Sequence, residues 1–175
     1  MPKQKSTKEM VVETAFQLAR EGGMERVQVK TIAARLGCSV QPIYSYCQSM
    51  DGLRRDVFRR VGGFVRDYLA QNGGGFQSTG RAFVRLAQEE PELFRLYTLQ
   101  PREEVACLDD LYRAEASPGM AGAIAGELGL GEDAARRLHL NMMIYTIGLG
   151  TIFSVSEPGI PAEEIGKITE AFYMV

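Results

Sequence analysis

Gln41, Tyr44, Ser45 and Tyr46 lie close together in the sequence, and their side chains are of the kinds that hydrogen-bond to base edges and to phosphate oxygens. Gln41 can pair with a base edge, and Val40 or Pro42 can touch a thymine methyl group. Ser39 opens this run. Upstream, Lys30 and Thr31 are placed for backbone phosphates, helped by the positive end of the helix that they would begin. Other chemistry finds little support. The lone His139 has no partnered serine or cysteine, so no nucleophilic triad can be assembled. Gly73-Gly74-Gly75 lacks the lysine and the preceding strand of a phosphate-binding loop. Glu89-Glu90-Glu92 and Asp109-Asp110 read as solvated faces or helix ends, poor transition-metal sites without histidine. No enzyme activity, cofactor or metal is therefore expected.

The elements that must position these residues are legible around them. Ile32, Ala33 and Leu36 give a helix one apolar face, and Gly37 follows where a left-handed residue ends a helix at least cost. Ser39 can cap a new short helix, with Pro42 in its first turn and Ile43 and Cys47 on its buried side. Val40, Gln41, Tyr44, Ser45 and Tyr46 stay more open. A helix, a tight turn and a second helix offered to the major groove form a helix-turn-helix. Before it, Ser6 to Glu9 reads as a capping box that opens a first helix, with Val11, Val12, Ala15, Phe16, Leu18 and Ala19 as its apolar face and Gly22-Gly23 as its end. After it, Ser49 and Asp51 start a fourth helix reaching about Asn72, before the break at Gly73-Gly74-Gly75.

This order resembles the tetracycline-repressor (TetR-type) family of transcriptional regulators. The resemblance covers roughly the first third of the chain. Gly23-Met24 is similar to the family's Gly-aromatic step, Ile32-Ala33 and Leu36-Gly37 to its Ile-Ala and turn glycine, and Ile43-Tyr44-Ser45-Tyr46 to its recognition-helix signature. Further on, Pro91-Glu92-Leu93-Phe94-Arg95-Leu96 is similar to a run in the regulatory domains of some members. Three positions depart from the pattern. Cys47 replaces the usual phenylalanine, Met50 replaces a lysine that meets a DNA phosphate, and Gln28 stands at the usual serine or threonine cap.

Composition fits one or two domains. With 175 residues and 45% hydrophobic content the chain can bury a core. No run approaches the ~20 apolar residues of a membrane span, and the lysine-bearing N-terminus lacks an apolar signal segment. A cytoplasmic location is expected. The three cysteines show no zinc-like spacing, and Cys38 and Cys47 read as small core residues. Net charge is only −2, but residues 1–72 carry twelve Lys/Arg against seven Asp/Glu, while residues 73–175 carry eight against fifteen. A basic front on an acidic body steers one end of the molecule toward a polyanion.

The expected fold is all-α. Residues 1–48 form the helix-turn-helix DNA-binding domain, and 49–175 the connecting helix with a helical regulatory and dimerisation domain. Helices are predicted over Ser78–Glu90, from Pro91 to before Pro101, over Glu103–Ala116, Met120–Leu128, Glu132–Ser154 and Ala162–Met174. The resemblance implies a dimeric regulator, most often a repressor, that binds a near-palindromic double-stranded DNA operator and responds to a small-molecule inducer. Phe83, Phe94, Tyr97, Tyr112, His139, Met142, Met143 and Tyr145 are the candidate inducer-pocket residues. Leu138, Met142, Tyr145, Gly148, Ile152, Phe153, Ile165, Ile168 and Phe172 are the candidate dimer interface, in which two final helices from each chain form a four-helix arrangement. The alternative is a helical dimeric interaction protein that has lost specific DNA binding, kept open by Met50 and the modest charge excess.

Overall fold

The computed structural model describes residues 7–47, 49–100, 105–116, 118–156, 161, 163, 164, 166 and 167. Among these residues the chain forms α-helices and no strand: α1 (Lys8–Gly22), α2 (Val29–Leu36), α3 (Val40–Cys47), α4 (Met50–Asn72), α5 (Phe76–Glu89), α6 (Pro91–Thr98), α7 (Leu108–Glu115), α8 (Met120–Leu128) and α9 (Glu132–Phe153). A short 3-10 turn, Met24–Arg26, joins α1 to α2. The all-α expectation holds. No helix among the described residues is long and apolar enough to cross a membrane. Packing divides the chain into two compact units, one of residues 1–67 with 90–99, the other of residues 68–89 with 100–175. This division falls elsewhere than the boundary after residue 48 expected from motif order.

The first unit is built on α1. Val11, Ala15, Phe16, Leu18 and Ala19 are buried, as their helical spacing predicts, and Val12 is half-buried. The cap sits one residue later than expected. Thr7 is the N-cap, and its hydroxyl accepts the Met10 amide at 3.3 Å, while Ser6 lies outside the described residues. Glu9 still reaches back: hydrogen bonds at its own backbone and from the Thr7 side chain hold its carboxyl below the usual range. Across α1 lies α4, whose Leu53, Val57, Val61 and Val65 recur every fourth residue and are all buried. Phe16 and Phe64 face each other at 5.8 Å, and the Arg60 guanidinium lies 4.3 Å from the Phe16 ring centre.

The sixth helix belongs to this unit rather than to the acidic half where sequence order put it. Leu93 and Phe94 are fully buried, and Glu90 accepts two hydrogen bonds from the Arg20 guanidinium at the end of α1. Pro91 opens α6 at its first turn, as the sequence predicts.

In the second unit α9 packs along α5 and α8. Two helix starts differ from expectation, each because a side chain caps the helix elsewhere. α5 begins at Phe76 rather than Ser78, since both oxygens of the Glu127 carboxylate accept the Phe76 amide at 3.1 Å and Ser78 reaches back to the Gly75 amide at 2.9 Å. α7 begins at Leu108 rather than Glu103. Asp110 accepts from the Ala106 and Cys107 amides at 3.2 Å, so the capping box centres on Cys107. Within α7 only Tyr112 is buried, and Leu108 is exposed. The last predicted helix, Ala162–Met174, lies mostly outside the described residues, as do Ile165, Ile168 and Phe172.

The corner between α2 and α3 is closed by two reversed hydrogen bonds, Cys38 amide to Ala33 carbonyl at 3.0 Å and Gly37 amide to Ala34 carbonyl at 3.3 Å. This requires Gly37 at φ 64°, ψ 29°, in the left-handed region. A Cβ there would meet nothing within 4 Å, so any cost of substitution is backbone strain alone. Gly37→Val should therefore lose about 1–2 kcal/mol in urea unfolding, and Gly37→Asn, which tolerates this conformation, should lose less. Equal losses would locate the cost in packing instead. In the same unit, Phe94→Ala should lose about 3–5 kcal/mol as a fully buried aromatic. A loss below ~1 kcal/mol would show that α6 is peripheral to this core.

Candidate nucleic-acid interface

The recognition helix α3 is held by its two buried residues, Ile43 and Cys47, seated against α1 and α2. Burial pushes the Cys47 thiol up from its usual range, consistent with a small apolar core residue in the place of a phenylalanine. Cys38 is half-buried. At the far end, Ser49 caps α4: its hydroxyl accepts the Gly52 amide at 3.0 Å, and its own amide donates to the Cys47 carbonyl at 2.6 Å. Both ends of α3 are thus tied to neighbouring helices by short turns.

That anchoring leaves the expected face open. Ser39, Val40, Gln41, Tyr44 and Ser45 are exposed, with Tyr44 at 53% and Val40 at 39%, while Pro42 and Tyr46 are half-buried. Gln41, Tyr44 and Ser45 share one side at helical spacing. The Ser45 hydroxyl donates to the Gln41 carbonyl at 3.2 Å, so its hydrogen is already engaged within the helix. Lys30 and Thr31 are exposed in the first turn of α2. As the sequence implies, Gln28 is a poor cap. It makes no side-chain cap bond, and its side-chain carboxamide donates back to the Glu25 carbonyl at 3.2 Å.

Much of the positive charge in this unit is already partnered. Lys8 pairs with Asp56 at 2.9 Å, Arg35 with Glu21 at 2.7 Å, Arg59 with Asp56 at 2.7 Å, Arg60 with Glu13 at 3.0 Å, and Arg20 with Glu90. The Asp56 carboxyl is held below its usual range by its hydrogen bond with Lys8, the largest effect, and by Arg59. The pairs whose partners are both exposed, Arg35–Glu21 and Arg60–Glu13, are worth little. Arg54 lies 3.7 Å from Asp51 and Arg26 4.0 Å from Glu21, while among the described residues of this unit Lys30, Arg55 and Arg66 carry exposed cations outside all these pairs. Sequence spacing does not single out Arg55, because which arginine of α4 each nearby acid takes depends on side-chain geometry.

The candidate inducer residues divide between the units. Phe94, fully buried, and Tyr97 sit on α6 in the first. Phe83 on α5, Tyr112 on α7, and His139, Met142, Met143 and Tyr145 on α9 sit in the second. There the structure brings Tyr112 and His139 together. The Tyr112 hydroxyl and His139 Nδ1 are 3.1 Å apart, and the imidazole meets the Tyr112 and Phe76 rings edge-to-face at 5.4 and 5.8 Å. Met142 is buried, whereas Met143 and Tyr145 are half-buried. No group of three or more potential metal-ligating side chains occurs among the described residues.

Burial lowers the His139 pKa, so the folded unit favours neutral imidazole. The unfolded chain takes up the proton first, and stability that is full above about pH 6.5 falls as acid protonates the unfolded form. The chain has one histidine, so no second imidazole contributes to this fall. The unfolding midpoint should stay level above about pH 7 and drop as the pH falls below about 6.5. His139→Gln should flatten that drop, and an unaltered drop in the variant would assign it to another group.

With this geometry in place, comparison with known proteins is informative. Residues 11–57 match the family described as bacterial regulatory proteins, tetR family. No curated relative matches the sequence. Over nearly its whole length the fold is similar to solved structures. One is a transcriptional regulator from Rhodococcus sp. Rha1, 16% identical, covering 97% of this chain and 96% of that one with a TM-score of 0.63. Another is a TetR-like transcriptional regulator from Rhodococcus sp. RHA1, 13% identical, covering 95% and 93% with a TM-score of 0.64. The matched span includes α2, α3 and the start of α4, which carry the exposed face described above. Residues 11–57 thus match the N-terminal domain of the tetR family of bacterial regulatory proteins, and the chain shares the fold of these regulators over nearly its whole length.

Proposed function

We propose that the protein is a cytoplasmic homodimeric repressor that binds a near-palindromic double-stranded operator through α3 and is released by a small-molecule inducer. The observation that carries this reading is the open face of Val40, Gln41, Tyr44 and Ser45 on a helix fixed at both ends. A single recognition helix spans only a few base pairs, so two copies related by a two-fold axis are the economical reader. For pairing, α9 offers a candidate surface. Ile144, Gly148 and Ile152 recur on one side and Val155 lies in the turn that follows, with Ile144, Ile152 and Val155 at 47, 59 and 70% exposure. Among the described residues a Cβ at Gly148 would meet nothing within 4 Å, and a glycine there suits close approach by a second helix. Met142 and Phe153, by contrast, are buried in the chain itself, Phe153 against Val84, and contribute to the core instead. For the inducer, Tyr112 and His139 offer a polar pair among apolar and aromatic side chains of the second unit.

The alternative, an interaction protein without specific DNA binding, draws support from Met50 and from the ion pairs that occupy the head's arginines. Duplexes selected from a random pool with the intact protein decide between them. The repressor reading expects a two-fold symmetric consensus and an affinity that falls with salt at a log–log slope of about −0.9 per phosphate neutralised. Tyr44→Ala should weaken binding to the selected duplex more than to random DNA. Equal weakening would remove base readout, and no binding at any salt would leave the interaction protein. Separately, Ile144→Asp with Ile152→Asp should turn a sedimenting dimer into a monomer at micromolar concentration. A dimer that survives both changes would place the interface off α9.

A further inference from the structure

We propose that the recognition helix is built to read A·T base pairs, with Gln41 and Val40 as the residues that set this specificity. The inference rests on the DNA-binding reading above and adds which bases are read. In the major groove each base calls for a different partner. Guanine presents two acceptors and suits the paired donors of arginine or lysine. Cytosine presents a donor and suits a carboxylate. Adenine presents one acceptor and one donor, which a carboxamide matches with both its groups, and thymine presents a methyl group that apolar side chains contact.

From Ser39 to Cys47 there is no Arg, Lys, Asp or Glu. The helix therefore lacks the side chains that recognise guanine or cytosine through charge-assisted bonds. What it does expose is Gln41, whose carboxamide makes no hydrogen bond among the described residues, and the apolar Val40 beside it at the helix start. Tyr44 lies one turn on, at helical spacing from both. The remaining polar group of that face, Ser45, has its hydroxyl hydrogen donated to the Gln41 carbonyl. As held, Ser45 offers the groove an acceptor but no free donor. Lys30, Arg55 and Arg66, exposed cations of the unit, stand on α2 and α4, outside the recognition helix, where they suit phosphates that carry no sequence information.

The test uses the intact protein and duplexes selected from a random pool. The most constrained positions of each half-site should be A·T pairs. Exchanging the critical A·T pair for G·C should raise Kd by roughly 5- to 150-fold. In Gln41→Ala that penalty should largely vanish, and Gln41→Arg should move the preference at the same position to guanine. Replacing the contacted thymine by uracil, which removes only the methyl group, should weaken the unaltered protein and leave Val40→Ala unaffected. Half-sites defined by G·C pairs, or a consensus unchanged in Gln41→Ala, would overturn the proposal while leaving the regulator intact. A pool that never enriches would overturn the DNA-binding reading and this assignment with it.

Discussion

An eight-residue helix has no stability of its own in water, and the head of this protein depends on how Val40–Cys47 is held in place. Only Ile43 and Cys47 anchor it by burial. Everything else that keeps it helical is supplied from outside: the left-handed turn at Gly37, the short link to the Ser49 cap, and the platform formed by α1 and α2. The same economy explains why its other side is free. A helix with one narrow buried stripe presents most of its surface outward, which is what reading a groove requires.

Charge plays a subtler part than composition implies. The excess of lysine and arginine in residues 1–72 is real, yet several of these side chains knit helices together: Lys8 to Asp56, Arg60 to Glu13 and Arg20 to Glu90. The Arg60–Glu13 pair, exposed on both sides, gains little in water, whereas the carboxylates of Asp56 and Glu90 are largely shielded from it. The local field thus favours a polyanion while the recognition helix itself carries no charge between Ser39 and Cys47. On the proposed reading, attraction and sequence reading fall to different helices.

The acidic half works by different rules. Its helices are capped by side chains distant in sequence or offset from the expected position, Glu127 at the start of α5 and Asp110 at the start of α7. Around His139, two aromatic edges and one hydroxyl compose a setting in which neutral imidazole is favoured. One side of α9 closes the core through Met142 and Phe153, and another carries Ile144, Gly148 and Ile152 outward, with Val155 exposed in the turn that follows.

What sequence alone determined here is everything governed by neighbours along the chain. The spacing of Ile32, Ala33 and Leu36, the glycine at position 37, the cap at Ser49 and the four-residue stripe of α4 are local signals, and the structure follows them almost to the residue. The bounds of α8 were legible for the same reason. Tertiary structure decided where local preference is nearly neutral. Whether α5 begins at Phe76 or two residues later depends on Glu127, a partner 51 residues away, and no window of sequence contains both. Leu93 and Phe94 are apolar enough for any core, and only packing sends them to the unit of α1. Likewise Phe153 and Ile152 are adjacent and equally apolar, and it is the direction of α9 against α5 that buries one and exposes the other. Hydrophobicity states that a side chain should leave water, but it is non-directional, so the choice of partner rests with the fold.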